Sequence, residues 1–493
     1  MTRSPRVIVV GAGIGGITTA HVLARRGFDD VTILEKGDEA GGVWHWNTYP
    51  GLTCDVPSNL YQFAFAPKPD WERVFATGPQ IKRYVNDVID HLGLRDRLIC
   101  DAEVVSTVFA DDEWTVTLAD GRTFVADFVV MATGVLHHPN VPDIPGLDTF
   151  GGPVVHSARW DADLRIEGER VAVIGSGSTG VQLVTALQGL ASRVLHFTRS
   201  PQWVMWAPMD LKQSRLLTAV LTRFPAARSA LYRALLSGSG FLADVTTVPS
   251  WRRRALQQFA RASLAVQVRD RRTRAALTPD YEPMCKRQVL SGGYYRALQS
   301  VDADLVDAPI REVTATGITT GDGVHHPLDV IVLATGFRAH DYMRPMDLRG
   351  RDGVRIDDVW ADGPRAYRLT AIPGFPNLFT VLGPNSPTGS ISLQYTAERT
   401  AEAIADRLDE FAAGVFDTIE VTEEATDEFL AEANTAMGPT VWATGCDSWY
   451  LTPAGDVDLW PYDRRTLTRM LAEHRTDHYR FTRSPMTTHG ATR

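Results

Sequence analysis

Gly11-x-Gly13-x-x-Gly16 and Gly175-x-Gly177-x-x-Gly180 repeat one spacing at two places in the chain. Each follows a short apolar run, "RVIVV" (6–10) or "RVAVI" (170–174), and precedes a stretch of helical periodicity. Glycines so placed permit a tight turn and let backbone N–H groups approach a pyrophosphate at a helix N-terminus. A single copy is weak evidence, because ordinary turns match it. Two copies in the same context point to two dinucleotide sites. Ser178 and Thr179 complete the second turn and join its glycines as cofactor-binding candidates. Glu35 ends the next apolar run 24 residues after Gly11, and Arg199 lies 24 residues after Gly175. A carboxylate there accepts hydrogen bonds from a ribose diol, which suits the adenosine ribose of FAD. A guanidinium there binds a 2′-phosphate bidentately, which predicts NADPH in preference to NADH.

Two further stretches could carry chemistry. "GGVWHWNTYPGLTCDVPSNLY" (41–61) is dense in Gly, Trp, Tyr and Pro, and Asp55 is its only acid. Its aromatics could wall a flavin ring, or the loop could simply be a packing loop with a solvated Asp. "YEPMCKRQVLSGGYY" (281–295) holds the pair Lys286-Arg287, which by itself is only a basic dipeptide.

The elements that must position these residues also come in duplicate. "VTILE" (31–35) and "RVLHFTR" (193–199) read as the second strands of two β-turn-α-β units. "DFVVMATG" (127–134) and "DVIVLATG" (329–336) close them, each after a β-rich stretch with an Asp-Gly turn. The fold class is therefore α/β, with two Rossmann-like dinucleotide-binding domains, one for FAD and one for NADP. The first domain takes residues 1–145 and 329–480, the second 146–328, and a flexible tail 481–493. An Arg- and Ala-rich helical insertion at about 205–280 interrupts the second domain. It reads as helices over a substrate cavity; a membrane-touching face is the alternative, against which its interleaved Arg and Ala weigh.

Composition sets limits. The chain has 493 residues, 44% hydrophobic and 22% charged, which fits a globular protein of two or three domains. A net charge of −9 argues against a nucleic-acid partner. No apolar run reaches the roughly 18 residues of a membrane span, and "MTRSPRVIVVGAG" does not read as a signal peptide. Cys54, Cys100, Cys285 and Cys446 show no metal-type spacing and no redox pair after the first glycine turn. They fit a reducing compartment, so a cytoplasmic location is expected, and no metal site.

Residues 41–55 carry a small residue, then Gly42, Trp44, Tyr49-Pro50-Gly51 and Asp55, while "FGGPVVHSARWD" carries Phe150, Gly152, His156, Trp160 and Asp161. With these motifs the chain resembles the type I Baeyer–Villiger monooxygenases, within the class B flavoprotein monooxygenases, from Val7 to about Trp460. Trp160 followed by Asp161 favours that branch over N-oxygenating relatives, which carry Tyr or Phe there. The resemblance implies that Arg287 and Asp55 are the catalytic residues, with Asp55 pairing the arginine that reaches the flavin. It implies that Lys286 helps Arg199 and Ser200 hold the 2′-phosphate. It places Val43, Trp44, Tyr61 and the backbone of Val104 against FAD, and likens "GPNSPTGS" (383–390) to a flavin-contacting turn. "SVDADLV" (300–306) departs from the family, which commonly has Arg-Pro-Asn there. The implied reaction uses NADPH and O2 to turn a ketone into an ester or lactone through a C4a-peroxyflavin. N- or S-oxygenation, and a non-catalytic FAD- and NADP-binding protein, are the alternatives. The stretch 150–161 is expected to be an interdomain hinge, with Gly152 permitting a bend and Phe150, His156 and Trp160 pinning it. His156 is not expected to be catalytic.

Overall fold

The computed structural model describes residues 3–483. Two five-stranded parallel sheets organise the chain. The first runs in the order Leu378–Thr380, Phe128–Met131, Val7–Val10, Val31–Leu34, Leu98–Ile99. The second runs Ala303–Val306, Arg193–Phe197, Arg170–Ile174, Val330–Leu333, Val154–His156. A parallel sheet is covered on both faces, so its central strands read as unbroken apolar runs. Val7–Val10, Phe128–Met131 and Val330–Leu333 are buried at every position. In the first unit the helix Ile14–Arg25 packs against Leu393–Ala412, burying Ile17, Ala20 and Leu23.

Each unit carries an antiparallel satellite where the Asp-Gly turns predict one. Val104–Ala110, Glu113–Leu118 and Thr123–Ala126 form one, extended by Asp347–Arg349. Ile310–Thr314, Gly317–Thr320 and His325–Pro327 form the other.

Val330–Leu333 pairs inside the second sheet, so the expected domain boundary at 328/329 falls one strand too early. The chain crosses between the units in two antiparallel passes that meet at Pro139 and Phe337. The Asn140 N–H donates to Gly336 O, and the Arg338 N–H to His138 O, both at 2.9 Å. Residues 154–156 belong to the edge of the second sheet beside this crossing. Gly152 is needed for close approach more than for a bend: a Cβ there would sit 2.3 Å from Asp329 O. His156 is buried, its ring meets Phe337 edge-on, and its Nδ1 accepts from the Ala158 N–H at 3.1 Å. Burial pushes its pKa below the ordinary value, which suits a neutral packing residue.

The insertion comprises helices Arg215–Arg223, Pro225–Thr247, Trp251–Gln267 and Arg271–Ala276. Ala260 and Leu264 pack into the second core, while Leu216, Trp251 and Val266 face outward. Buried Arg253 donates to Val245 O and Thr246 O and so satisfies carbonyls at the end of Pro225–Thr247. Among the described residues no helix is long and apolar enough to cross a membrane. The expected tail starts later than position 481, because Tyr479–Thr482 pairs with Thr418–Val421. Residues 484–493 lie outside the described residues.

Candidate functional site

The first glycine turn is shaped by backbone contacts. Gly11 has φ +105°, and a Cβ on it would sit 2.6 Å from Ala132 O. A Cβ on Gly16 would sit 1.8 Å from Gly11 O, so the helix could not start against the turn. Gly13 and Gly42 bring two backbones together: a Cβ on Gly42 would lie 2.9 Å from Gly13 Cα. This bare-backbone cradle fits a pyrophosphate. Glu35 is buried, and its carboxylate accepts from the Ala12 N–H at 2.7 Å and the Gly37 N–H at 2.9 Å. It thus braces the turn and keeps lone pairs for a ribose. Val104 opens its strand two residues after Ala102, whose N–H donates to Glu35 O. Trp44, in the short helix Val43–Trp46, donates through Nε1 to Tyr61 Oη at 3.0 Å.

The second turn repeats the design. Gly175 has φ +118°, with Ala334 O 2.3 Å from where a Cβ would lie. Ser178–Leu187 begins at Gly177 without a side-chain cap, which leaves its first N–H groups for an anion. A Cβ on Gly180 would sit 1.9 Å from Gly175 O, whereas one on Gly177 meets nothing within 4 Å. Gly180→Ala is therefore expected to cost about 1–3 kcal/mol in a denaturant titration, as overpacking does. Gly177→Ala is expected to leave that titration unchanged and serves as its control.

The "YPG" of the aromatic loop turns out to be an interdomain contact. Tyr49 Oη donates to Gln182 Oε1 at 2.8 Å, and Gln182 Nε2 donates to Thr53 O at 2.8 Å. Gly51, at φ +82°, leaves no room for a Cβ against Ala186 Cβ at 2.8 Å. The loop of the first unit is thus seated on the glycine-turn helix of the second. Gln182 carried no signal in the sequence, because nothing local marks a side chain that meets another domain.

The basic dipeptide is delivered by a ribbon. Val204–Met205 pairs with Val289–Leu290, just beyond the strand that ends near Arg199. Gln202 Nε2 donates to Arg287 O, and Gln288 Nε2 to Trp203 O. Lys286 Nζ reaches Ser200 Oγ at 3.3 Å and lies over the Tyr281 ring at 4.6 Å. Burial lowers the Lys286 pKa, while Asp447 opposes that shift. Ser176 of the glycine turn donates to Ser200 O at 2.7 Å. Arg199, Ser200 and Lys286 therefore gather beside the second turn.

Arg287 points the other way, across the domain boundary. Its Nε and Nη2 donate to the two oxygens of Asp55 at 3.0 and 2.8 Å. Its Nη1 donates to Thr388 O at 3.0 Å. The Asp55 carboxylate raises the Arg287 pKa further, so the guanidinium stays charged. Tyr450 sits close by, its phenol pushed up to about 12 by burial while Arg287 pulls it down. Among the described residues, Asn385 Oδ1, Thr388 Oγ1, Ser390 Oγ and Gln394 Nε2 are buried without a hydrogen-bond partner. Buried polar atoms are nearly always paired. A run of orphans over 385–394, next to Arg287, fits the polar edge of a flavin ring. The site thus joins a first-unit loop (Asp55), a second-unit ribbon (Arg287) and a C-terminal turn (Thr388). A surface hollow of about 380 Å³ is lined by Trp203, Arg271, Arg274 and Tyr281, and Arg287 is not part of its lining.

Cys285, next to Lys286, is joined to Cys446 by a disulfide. This bond runs against the expectation that the scattered cysteines fit a reducing compartment; Cys54 and Cys100 are free. The partners are 161 residues apart in sequence, a spacing that no cysteine motif marks. Among the described residues no cluster of three or more His, Cys, Asp or Glu could hold a metal ion.

A family model described as pyridine nucleotide-disulphide oxidoreductase matches residues 8–227. An uncharacterized monooxygenase of Mycobacterium tuberculosis is 48% identical over 477 residues, 97% of this chain and 96% of that protein. A Baeyer–Villiger monooxygenase of Streptomyces coelicolor is 38% identical over 480 residues, 95% of this chain and 92% of that protein. The structure of cyclohexanone monooxygenase from Rhodococcus sp. Phi1 bound to NADP+ is similar with a TM-score of 0.87 at 30% identity. It covers 97% of this chain and 99% of that one.

Proposed function

The chain belongs to the Baeyer–Villiger monooxygenases, and we propose that Arg287, held by Asp55, drives its oxygen insertion beside the carbonyl of a ketone. The enzyme is an NADPH- and O2-dependent monooxygenase with FAD and NADP as cofactors. FAD, when bound, would supply the hydride acceptor for NADPH and the means of activating O2. Everything else falls to the chain.

The Gly11–Gly16 turn, Gly42, Glu35, Val43, Trp44, Tyr61 and Val104 are proposed to hold FAD. The Gly175–Gly180 turn, with Ser178, Thr179, Arg199, Ser200 and Lys286, is proposed to hold NADPH. The observation that carries the reading is the bidentate Arg287–Asp55 pair at the meeting of the two units. Oxygen insertion next to a carbonyl builds negative charge on oxygen. A fixed cation at that point stabilises it, and arginine suits the task because it does not lose its proton. Asp55 orients the guanidinium and offsets its charge. Thr388 O fixes the third direction. The Asp55 loop, the Arg287 ribbon and the Thr388 turn meet at this point.

A ketone is the proposed substrate class. A cytoplasmic location is part of the proposal, and there the Cys285–Cys446 disulfide would be unusual. The test is a panel of cyclic, aromatic, linear and steroid-like ketones given to the holoenzyme with NADPH in air. Products of some panel members should gain one oxygen as esters or lactones, in step with NADPH consumption. A panel that yields no ester, while amines or sulfides are oxidised, would contradict the ketone assignment.

A further inference from the structure

We propose that Asp447 is a specificity-determining counter-ion of the NADPH site, holding the place of the cofactor's 2′-phosphate on Arg199 and yielding to it on binding. The proposal rests on the reading of Arg199 as a phosphate ligand. Arg199 Nη2 donates to Asp447 Oδ2 at 2.7 Å. The two side chains are 85% and 79% exposed, so packing does not require the pair.

A second observation fixes the carboxylate in place. Asp447 follows Cys446, and Cys446 is bonded to Cys285, which precedes Lys286. One covalent link therefore ties the loop that carries Asp447 to the segment that carries Lys286. The same loop is held from behind, where the Val441 N–H donates to Thr246 O and Arg253 Nη2 donates to Pro439 O. Arg199 pairs with the carboxylate directly, while Lys286, held on Ser200 beside the glycine turn, feels its charge from farther off. That is the charge pattern of a phosphate site with a weak internal anion in it.

An exposed ion pair is weak, so a 2′-phosphate with greater charge and a bidentate geometry displaces it. A nucleotide without the 2′-phosphate brings no anion to Arg199 and leaves the pair undisturbed. Asp447 therefore lowers the affinity for 2′-phosphorylated nucleotides and spares the others. It trims the NADPH preference that Arg199 creates.

The experiment is a calorimetric titration of the oxidised holoenzyme with 2′,5′-ADP and with 5′-AMP. It compares wild type, Asp447→Asn and Arg199→Ala. Asp447→Asn is expected to tighten 2′,5′-ADP about two- to five-fold and leave 5′-AMP unchanged. Arg199→Ala is expected to weaken 2′,5′-ADP about ten-fold and leave 5′-AMP unchanged. If Arg199→Ala behaves so but Asp447→Asn leaves or weakens 2′,5′-ADP binding, or tightens both nucleotides equally, the counter-ion role is overturned alone. If Arg199→Ala leaves 2′,5′-ADP binding intact, the phosphate assignment falls, and this inference with it.

Discussion

Arg287→Ala is expected to keep FAD and NADPH bound yet lose ester formation by about 10²–10³-fold, the usual cost of deleting a fixed group that stabilises developing charge. The variant should still oxidise NADPH, releasing hydrogen peroxide in place of ester. The reasoning is local. The guanidinium's hydrogen bonds among the described residues go to Asp55 and Thr388 O, and neither lies in the glycine turns. Truncation leaves the Gly11 and Gly175 cradles intact, so cofactor absorbance and NADP+ binding should hold. The side chain is 36% exposed, which keeps the stability cost small. Arg287→Lys tests geometry against charge. A lysine keeps the charge but cannot reproduce the two-pronged contact with Asp55, so it should restore only part of the activity.

The second large effect is expected at Asp55. Asp55→Ala should lower ester formation about 30-fold, the lower end of the range for breaking a charged hydrogen-bonded pair, because Arg287 is not fully buried. The alanine removes two of the three hydrogen bonds that aim the guanidinium and leaves its charge unopposed. Hydride transfer should be nearly untouched, since Asp55 is tied to Arg287 and not to the second glycine turn. Asp55→Asn keeps one acceptor oxygen and should fall between alanine and wild type. Stopped-flow reduction by NADPH, measured beside the ester yield, separates this positioning role from a general structural one. A variant slowed equally in both steps would count against it.

The sequence carried the local parts of this picture well. Both glycine turns, their strands and helices, and the Asp-Gly hairpins are periodic or compositional signals over short windows. Glu35 and Arg199 followed from their place in those units. What it did not carry were contacts between distant segments. Gln182 meets Tyr49 across 133 residues, and Cys285 meets Cys446 across 161. Periodicity reports which side chains are buried, not which element buries them. The boundary at 328/329 failed for the same reason. "VIVL" reads as a buried strand in either sheet, and only pairing with Arg170–Ile174 assigns it. Gly152 gives a related lesson. A glycine in a connecting stretch suggests a bend, yet here it makes room for the Asp329 carbonyl. The Lys286-Arg287 pair was legible only through the family resemblance. Two basic residues in a row do not reveal that one faces Ser200 and the other Asp55.

The central claim is that one atom of O2 enters beside a carbonyl under the control of Arg287. Turnover under isotopically labelled dioxygen, with a ketone from the panel and NADPH, tests it most directly in wild type and Arg287→Ala side by side. The wild-type enzyme should give ester carrying one labelled oxygen, in equal amount to the NADPH consumed, while the variant should give labelled hydrogen peroxide and almost no ester. Labelled ester from Arg287→Ala at the wild-type ratio to NADPH would contradict the account.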